Sequence, residues 1–353
     1  MKIVITGGCG FVGSTLALAL RADGHDLTCF DNLSRRGSEL ILDRIRGAGC
    51  AFVHGDIRNE EDLARLPGRF DLMLECSAEP SVMAAAAGEG ARYVVQNNLV
   101  GSANCLEFCR RGSVPFLFMS TSRVYPYGAI NALRFRETDT RVVCEGRGPG
   151  LTERGIAEDF SLAGPRSLYG ATKLASELLA QEYAAQYGLP VLINRCGVLA
   201  GPWQMGKSDQ GVMTFWMAAH LLGRNLRYIG FGGHGKQVRD VLHADDFAHL
   251  VRRQIAAIGA WRGEVYNVGG GLEGSLSLRE TTEICARLAG RTVTLGCEPA
   301  TRPADVIWYV TDNTRVSQAF GWAPERRPEP ILADIRDWLI SLGEAGLHRL
   351  FGA

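Results

Sequence analysis

The chain has 353 residues, equal numbers of basic and acidic side chains (38 each), and an apolar fraction of 46%. A formally neutral chain has no overall charge that attracts nucleic acid or an anionic membrane, so neither is expected as a partner. The length suits one large domain or two joined ones, and the apolar fraction is typical of a globular core.

The ten cysteines are scattered through apolar segments without a Cys-x-x-Cys pair, which indicates free thiols in a reducing compartment. Cys105 and Cys109 share a predicted helix face but have no nearby His or second Cys pair, so no metal site is expected. No signal-peptide pattern precedes the first strand, and no apolar run reaches the roughly 18 residues of a membrane span. These features predict a soluble, cytoplasmic protein.

The first half of the chain alternates short apolar or β-branched runs with amphipathic helical patterns. Strands are predicted at 2–6, 26–30, 51–54, 72–76, 116–120 and 191–195. Helices are predicted at 13–22, 97–111 and 172–187. Such alternation is typical of a parallel sheet with helices on both faces.

The pattern becomes irregular after residue 196, with Gly-rich turns and further helices at 245–258 and 278–288. We therefore predict a first domain of residues 1–196 and 240–272, with residues 197–239 and 273–353 in a smaller, interleaved lobe. The segment 126–166 has no clear periodicity, and a loop that long within a compact domain is usually functional or disordered.

A glycine-rich loop from Gly7 to Gly13, with the sequence GGCGFVG, follows the first strand at once and leads into a helical pattern. This is a variant of the dinucleotide-binding fingerprint, although without context it is equally compatible with a tight turn. Its glycines permit close backbone approach to a pyrophosphate, and N–H groups at a helix start hold phosphates. Asp31 ends the second strand, where a carboxylate accepts hydrogen bonds from a ribose diol.

Asp31 favours NAD over NADP as the cofactor, because a 2′-phosphate would meet its negative charge. Arg35 and Arg36 leave the alternative open, since their guanidinium groups can pair with that phosphate. Asp56 and Ile57, after the third strand, suit the adenine edge of the cofactor or an ordinary loop.

Tyr169 and Lys173 lie four residues apart in a helical pattern, which places both side chains on one face. An ammonium beside a phenol favours the phenolate, so we expect Tyr169 to titrate well below its usual pKa of about 10. Thr121 follows the strand at 116–120, where its hydroxyl is expected to bond the oxygen that Tyr169 deprotonates. Each signal alone is compatible with a surface pair or a turn; in this order, after the glycine loop, they predict hydride transfer at a hydroxyl-bearing carbon.

With these motifs in place, the chain resembles the extended short-chain dehydrogenase/reductases that act on nucleotide sugars, a family of NAD-dependent epimerases and dehydratases. The resemblance covers nearly the whole chain, including the segments 97–104, 239–246, 267–270 and 321–324 and Arg195 with Gly201-Pro202. It implies a Rossmann-type, doubly wound parallel α/β sheet with a smaller, interleaved C-terminal α/β substrate lobe. Within the family the chain is most similar to CDP-tyvelose (CDP-paratose) 2-epimerases, on residues 137–141, 168–173, 209–211 and 235–240.

The resemblance also implies the residues of the site. It gives Thr121, Tyr169 and Lys173 the catalytic roles. The residues implied to contact NAD are Gly7, Gly10, Phe11, Val12, Gly13, Asp31, Asn32, Ser34, Arg35, Asp56, Ile57, Ser77, Ala78, Asn97, Tyr169 and Lys173. The residues implied to contact the nucleotide-diphospho-sugar substrate are Ser81, Thr121, Ser122, Arg123, Gln204, Gln210, Gly211, Gln237, Arg239 and Arg302.

Arg239 and Arg302 are implied to contact the substrate diphosphate, although Arg239 is also compatible with a structural ion pair to Asp240. Members of the family commonly dimerise through the helices that correspond to 97–111 and 172–187, so a homodimer is expected. Burial of the apolar positions of these helices within the chain itself is the alternative.

The chain departs from the family pattern at four places, one of which is Pro126, where the family usually has Gly after the Val-Tyr. Family dehydratases carry an Asp-Glu pair directly after the catalytic threonine, whereas this chain has Ser122-Arg123, and neither residue can act as a carboxylic general acid. Val198 replaces the usual Asn three residues after Arg195, and Glu79 stands where other members often have Gln. The absence of the Asp-Glu pair favours an epimerase that oxidises and re-reduces one carbon over a 4,6-dehydratase.

Alternatives stay open on the sequence alone. The subfamily resemblance implies inversion at C2, while C4 epimerisation is equally compatible with the residues. A net oxidoreductase and a cofactor-sensing protein without catalysis are further alternatives. The intact set of Thr121, Tyr169 and Lys173 argues against the last of these.

Overall fold

The computed structural model describes residues 1–84, 90–206 and 210–351, so Asp209 of the segment 209–211 lies outside the described residues. The chain divides into two compact units. The first comprises Met1–Val124, Ser167–Cys196 and Phe247–Tyr266, and the second comprises Tyr125–Arg166, Gly197–Asp246 and Asn267–Ala353.

The strands are short, as expected for an α/β protein. In chain order they are β1 (Lys2–Thr6), β2 (Asp26–Asp31), β3 (Ala51–His54), β4 (Leu72–Glu75), β5 (Phe116–Thr121), β6 (Phe135–Glu137), β7 (Val142–Cys144), β8 (Leu151–Thr152), β9 (Gly155–Ile156), β10 (Val191–Cys196), β11 (Val198–Ala200), β12 (Leu226–Ile229), β13 (Val238–His243), β14 (Glu264–Val268), β15 (Ser275–Ser277), β16 (Leu295–Glu298) and β17 (Trp308–Tyr309).

The helices follow the same numbering. They are α1 (Phe11–Ala22), α2 (Ser38–Gly47), α3 (Glu60–Ala64), α4 (Gly90–Val95), α5 (Gly101–Gly112), α6 (Tyr127–Asn131), α7 (Leu168–Tyr187), α8 (Val212–Leu222), α9 (Ala244–Ala256), α10 (Leu278–Ala289), α11 (Thr314–Phe320), α12 (Pro328–Ser341) and α13 (Gly343–Phe351). A π-helical turn, Gln96–Val100, joins α4 to α5.

The first unit is built on a seven-stranded sheet with the order β3-β2-β1-β4-β5-β10-β14, and every pair from β3 to β10 is parallel. All six strands predicted in the first half are present, with ends within one residue of the prediction. The predicted α/β class with a doubly wound parallel sheet is confirmed. The chain leaves β1 toward β2 and returns to the other side at β4, so the carboxyl ends of β1 and β4 flank the switch point where such sheets bind ligands.

The core of the first unit explains why its central strands are continuous apolar runs. All six residues of β5 and of β10 are buried, as expected for parallel strands covered on both faces. Phe116, Phe118 and Ile193 pack in this core with Leu106 of α5. Each such side chain stabilises the fold by roughly 1.5–3 kcal/mol.

Helix α7 begins four residues earlier than the predicted start at 172. The Ser167 hydroxyl caps it by accepting a hydrogen bond of 3.1 Å from the Gly170 amide. The first turn of α7 therefore contains Tyr169.

The second unit contains a smaller sheet in which β13 pairs with β11 and β17 in parallel and with β15 antiparallel. Helices α8, α10, α12 and α13 contribute to its apolar core, which includes Trp216, Ile335 and Trp338. The second unit contains both helices and a sheet, but its residue ranges make it no smaller than the first unit, in contrast to the smaller lobe predicted from the sequence.

The segment 126–166 is ordered, in contrast to the loop suggested by its missing periodicity. It contains α6 and two antiparallel pairs, β6–β7 and β8–β9. Its partners lie in the second unit: the Val142 amide donates to the Lys236 carbonyl (3.0 Å), and Thr152 donates to the Asp312 carboxylate (2.5 Å). Pairing with residues far along the chain leaves no local periodicity to detect.

The compact units therefore divide the chain differently from the predicted domains. Residues 125–166, 240–246 and 267–272 group with the second unit instead of the first. The pairing of β13 with β11, β15 and β17 explains why the boundary cannot fall within β13. Among the described residues, no helix has both the length and the apolar character needed to cross a bilayer.

Candidate active site

The glycine loop after β1 forms a tight turn against the start of α1. Gly7 has a positive φ of 65°, and the Gly10 amide donates to the Gly7 carbonyl at 2.9 Å. A Cβ on Gly13 would lie 2.2 Å from the Gly7 oxygen, so only glycine permits this approach. Helix α1 begins at Phe11 without a side-chain cap, which leaves the first amides of the helix for an anion.

The loop also lies directly beside the end of β4. A Cβ on Gly7 would lie 2.9 Å from the Ser77 amide nitrogen. The predicted cofactor contacts Ser77 and Ala78 are thereby adjacent to the glycine turn, at the switch point of the sheet.

Asp31, at the end of β2, ties the glycine loop to the turn that follows the strand. Its two oxygens accept hydrogen bonds from the Cys9 amide (2.9 Å) and the Leu33 amide (2.8 Å). Burial raises the pKa of Asp31, while the amides of Leu33 and Cys9 oppose this rise. A carboxylate accepts about four hydrogen bonds, so Asp31 retains capacity for a ribose diol.

Asn32 and Asp56 meet beside Asp31. The Asn32 amide donates to the Asp56 carboxylate at 3.0 Å, and its oxygen accepts from the Ser34 amide at 3.0 Å. Burial alone would raise the pKa of Asp56, but hydrogen bonds from Arg58 and Asn32 lower it to about 2. Asp56 is therefore an anion throughout the physiological range.

Ile57 is placed differently from its neighbour Asp56. Its side chain is buried in the core against Gly101, and its carbonyl accepts a hydrogen bond of 2.9 Å from Asn104. The carbonyl of Arg35 accepts from the Ser38 amide at 3.1 Å, at the start of α2.

Asn97 is a predicted cofactor contact, but its neighbour Asn98 makes the hydrogen bonds that connect the loop after β4 to α7. The fully buried Asn98 accepts from the Glu79 amide (2.7 Å) and donates to the Glu79 carbonyl (3.0 Å) and to Thr172 of α7 (3.4 Å). Asn97 donates to Asn98 at 3.2 Å, and the Glu79 carboxylate accepts the Ser81 amide at 3.0 Å. Asn98 therefore fixes the loop after β4 to α7, a role that its place in the segment 97–104 does not reveal.

Close packing brings Tyr169 to Thr121. Thr121 is the last residue of β5, and Ser122–Val124 form a 3-10 turn directly after it. A Cβ on Gly170 would lie 2.1 Å from the Arg123 carbonyl oxygen, so α7 can approach this turn only with glycine at that position. The Tyr169 hydroxyl interacts with the buried Thr121 hydroxyl as a result.

Tyr169 does not titrate as the sequence suggested. Burial raises its pKa above 10, and the opposing effects of the Lys173 ammonium and the Thr121 hydroxyl do not cancel that rise. The prediction of a pKa well below 10 is therefore wrong for the chain by itself. The physical reason is that desolvation of the phenolate outweighs its attraction to one ammonium.

Lys173 is deeply buried, with 2% of its side chain exposed. Its Nζ lies 4.4 Å from the centre of the Phe118 ring and 3.6 Å from a carboxylate oxygen of Glu75. Glu75 was not predicted as a site residue, although it is an acidic residue at the end of an otherwise apolar strand, 72–75.

A second buried carboxylate lies one helical turn beyond Lys173. Glu177 forms a bidentate ion pair with Arg195 of β10, with distances of 2.7 to 3.1 Å, and accepts a hydrogen bond from Ser120 of β5. The pair joins α7 to the two strands whose ends frame the site. Arg195 entered the sequence comparison as a family signature, but its partner was not predicted.

The substrate contacts predicted in the second unit form two clusters. Arg239 is paired with Asp305 (2.8 Å) and donates to the Val306 carbonyl (2.6 Å). The considered partner Asp240 instead accepts the amides of Gly271 (2.9 Å) and Thr311 (3.2 Å).

Arg302 belongs to the same cluster, because its carbonyl accepts the Asp305 amide at 3.3 Å. Gln237, one strand position before Val238, donates to the Ile229 carbonyl at 3.4 Å. Its buried side-chain oxygen has no hydrogen-bond partner among the described residues. The Gln237 side-chain oxygen is therefore available to accept a hydrogen bond, two residues before Arg239 in the chain.

The second cluster lies at the start of α8. Gln204 donates to the Leu199 carbonyl at 2.9 Å, and a Cβ on Gly211 would lie 3.1 Å from its amide carbon. Gly211, with a φ of 65°, is the N-cap of α8, and Gln210 precedes it directly.

Known proteins resemble this chain over nearly its whole length. The sequence profile described as the NAD dependent epimerase/dehydratase family matches residues 3–269. A Salmonella typhi relative named CDP-paratose 2-epimerase is 31% identical over 349 residues, 97% of this chain and 100% of the relative. The chain belongs to the NAD dependent epimerase/dehydratase family.

Other members of this epimerase/dehydratase family carry other activities in their names. A dTDP-glucose 4,6-dehydratase of Xanthomonas campestris pv. campestris (strain B100) is 29% identical, covering 96% of this chain and 93% of its own length. The crystal structure of the Thermus thermophilus UDP-glucose 4-epimerase in complex with NAD matches with a TM-score of 0.78 and 26% identity, covering 96% and 98% of the two chains.

The residues of this chain fit the cofactor of the family. The glycines allow the loop, the start of α1 and the end of β4 to pack more closely than Cβ atoms would permit, and the uncapped start of α1 leaves amides for a pyrophosphate. Asp31 offers a carboxylate with spare acceptor capacity at the end of β2. The fold, the enzyme class and the NAD dependence predicted from the sequence are those of the epimerase/dehydratase family.

Proposed function

We propose that the protein is an NAD-dependent epimerase of a nucleotide-diphospho-sugar that inverts C2, with a CDP-linked sugar of the paratose/tyvelose type as its substrate. The observation that carries the proposal is the cluster of Thr121, Tyr169 and Lys173 next to a turn, Ser122–Val124, without carboxylates. Redox work on a hydroxyl-bearing carbon needs the first three residues, whereas a 4,6-dehydratase also needs a carboxylic acid beside them. The 31% identity with the CDP-paratose 2-epimerase supports the choice of carbon and nucleotide.

The mechanism assigns one task to each side chain. Thr121 holds the oxygen on the reacting carbon, and Tyr169 takes the hydroxyl proton as that carbon is oxidised to a ketone. Bound NAD supplies reversible hydride transfer and, when oxidised, a positive charge that favours the Tyr169 phenolate. Lys173 supports the same phenolate from α7. Tyr169 returns the proton after the ketone has presented its other face, and one centre is inverted without net oxidation.

The second unit is proposed to hold the diphosphate of the substrate. Arg239 and Arg302 lie in one cluster, and Arg239 is already oriented by Asp305 and Val306. A guanidinium held in this way recognises a phosphate at a smaller loss of side-chain entropy than a free one. An anchored diphosphate lets the sugar ring turn without release.

An isotope experiment tests the reaction. Enzyme with bound NAD is incubated with a CDP-sugar deuterated at C2, and the inverted product is examined by NMR and mass spectrometry. Deuterium retained at the inverted C2 is the expected result. Loss of deuterium to solvent would contradict the hydride route and favour enolisation.

A nucleotide-sugar 4-epimerase is the second candidate, because the solved UDP-glucose 4-epimerase shares the fold at 26% identity. The same experiment with C4-deuterated UDP-glucose and dTDP-glucose separates it from the C2 reaction. A net oxidoreductase is distinguished by cofactor use, since it consumes added NAD or NADH stoichiometrically while an epimerase turns over with none added.

A further inference from the structure

The ion pair between Glu75 and Lys173 is buried and incompletely satisfied. Glu75 is 0% exposed, and its carboxylate lies 3.6 Å from the Lys173 Nζ. Neither carboxylate oxygen has a hydrogen bond of normal geometry within the part of the chain that the structure describes, and the Ser77 amide acts on the carboxylate only weakly, after Lys173. A carboxylate buried without hydrogen bonds is unfavourable, so Lys173 is the group that compensates its charge.

The strand register explains how the two groups meet. Glu75 of β4 and Phe118 of β5 are direct cross-strand partners, and side chains at paired positions of parallel strands lie on the same face of the sheet. The Phe118 ring lies 4.4 Å from the Lys173 Nζ. Glu75 and Phe118 together form the surface on which the ammonium rests.

Three buried thiols that act on this pair supply no competing negative charge. Burial raises the pKa of the thiols of Cys76, Cys105 and Cys196, so these groups stay neutral. Burial likewise raises the pKa of Tyr169, while Lys173, the Thr121 hydroxyl and the Arg123 guanidinium act to lower it. Burial also raises the pKa of Glu75, an effect that Lys173 opposes.

We propose that Glu75 is a positioning residue that holds the Lys173 ammonium in place and sets the pH range in which Tyr169 works. The inference rests on the proposed role of Tyr169 and Lys173, and Glu75 itself does not contact the reacting carbon. Removing one negative charge lowers the pKa of every phenol and ammonium nearby. The ascending limb of the pH–rate profile, which requires the Tyr169 phenolate, and the descending limb, which requires the Lys173 ammonium, must therefore both move to lower pH in E75Q.

A spectroscopic titration tests this without any substrate. Four NAD-loaded proteins are titrated: the wild type, Y169F, E75Q and the double variant E75Q/Y169F. The phenolate absorbance of Tyr169 is the difference between the wild type and Y169F, and, without the Glu75 charge, the difference between E75Q and E75Q/Y169F. We expect the Tyr169 titration to move to lower pH by about 1 unit in E75Q, the lower part of the range for a neighbouring charge. An unchanged titration, or one at higher pH, overturns the proposal and indicates that Glu75 is protonated or purely structural.

The conservative variant E75D keeps the charge but moves it farther from Lys173. It is expected to shift the titration in the same direction by a smaller amount, and it carries the test if E75Q loses its cooperative thermal transition. The titration and the isotope experiment test different proposals. A negative isotope result would overturn the proposed reaction and leave the titration interpretable. An unchanged titration would overturn the role of Glu75 and leave epimerase activity measurable.

Discussion

Two buried ion pairs on one face of α7 differ in how completely their carboxylates are satisfied. Glu177 forms three hydrogen bonds with Arg195 at 2.7 to 3.1 Å and a fourth with Ser120. Glu75 meets Lys173 at 3.6 Å without a hydrogen bond of normal geometry to either oxygen among the described residues. The residues Lys173 and Glu177 are four apart, so a single helix turn separates the two arrangements.

The contrast separates a structural part of α7, at Glu177, from a functional part, at Lys173. A buried pair whose carboxylate accepts four hydrogen bonds fixes the positions of α7, β5 and β10 and leaves that carboxylate little capacity for a ligand. An ammonium with one long contact and an aromatic face retains donors for other partners. We infer that the Glu177–Arg195 ion pair holds α7 in place and thereby positions Lys173.

The largest effect is expected from Y169F. This variant should bind NAD as the wild type does and lose turnover by roughly 10²–10⁴-fold, the range for general acid–base groups. Product formation by NMR and bound NAD by absorbance after denaturation are the two measurements. Near-normal turnover would remove Tyr169 from its role.

The structural role of the Glu177–Arg195 ion pair is tested by E177Q. Removing this carboxylate leaves Arg195 buried without its partner, so the free energy of unfolding should fall by about 3–5 kcal/mol, measured by urea titration. E75Q is the matched control, since it removes a carboxylate with fewer bonds and should destabilise less. Equal losses of stability in E177Q and E75Q would contradict the proposed difference between the two pairs.

The approach of α7 to the turn after β5 is tested by G170A. A Cβ at this position would lie 2.1 Å from the Arg123 carbonyl, so we expect about 1–3 kcal/mol of destabilisation. Turnover should fall as well, because Tyr169 moves away from Thr121. The control is G47A, since a Cβ there meets no atom within 4 Å. G47A should change stability by less than about 1 kcal/mol and leave turnover unchanged.

The smallest effect on the site is expected from the outer face of α7, where Leu178 is 57% exposed. We propose that this face contributes to a homodimer, so L178E should reduce the mass measured by light scattering from two chains to one. L272E, which changes a leucine that is 55% exposed in the second unit, is the control and should leave the mass unchanged. A monomeric wild type would refute the proposed dimer.

Local sequence patterns were sufficient for the sheet and for part of the site. Most strands of the first unit are short apolar runs that local patterns identify. A glycine turn after the first strand, with Asp31 at the end of the second, indicates a dinucleotide-binding site. The order of Thr121, Tyr169 and Lys173 along the chain likewise predicted their shared chemistry. The strands of segment 126–166 were not predicted, because the residues that bond to its hairpins, such as Lys236 and Asp312, lie about a hundred residues or more away in the chain.

The α/β class, the dinucleotide loop and the types of residue that carry the chemistry can be predicted from the sequence, because these features depend on neighbours along the chain. The groups that surround these residues are known only from the three-dimensional structure. It placed Glu75 against Lys173, Asn98 between Glu79 and Thr172, and Asp305 rather than Asp240 against Arg239. It also raised the pKa of Tyr169 instead of lowering it, since the desolvation of a side chain depends on distant residues that pack over it.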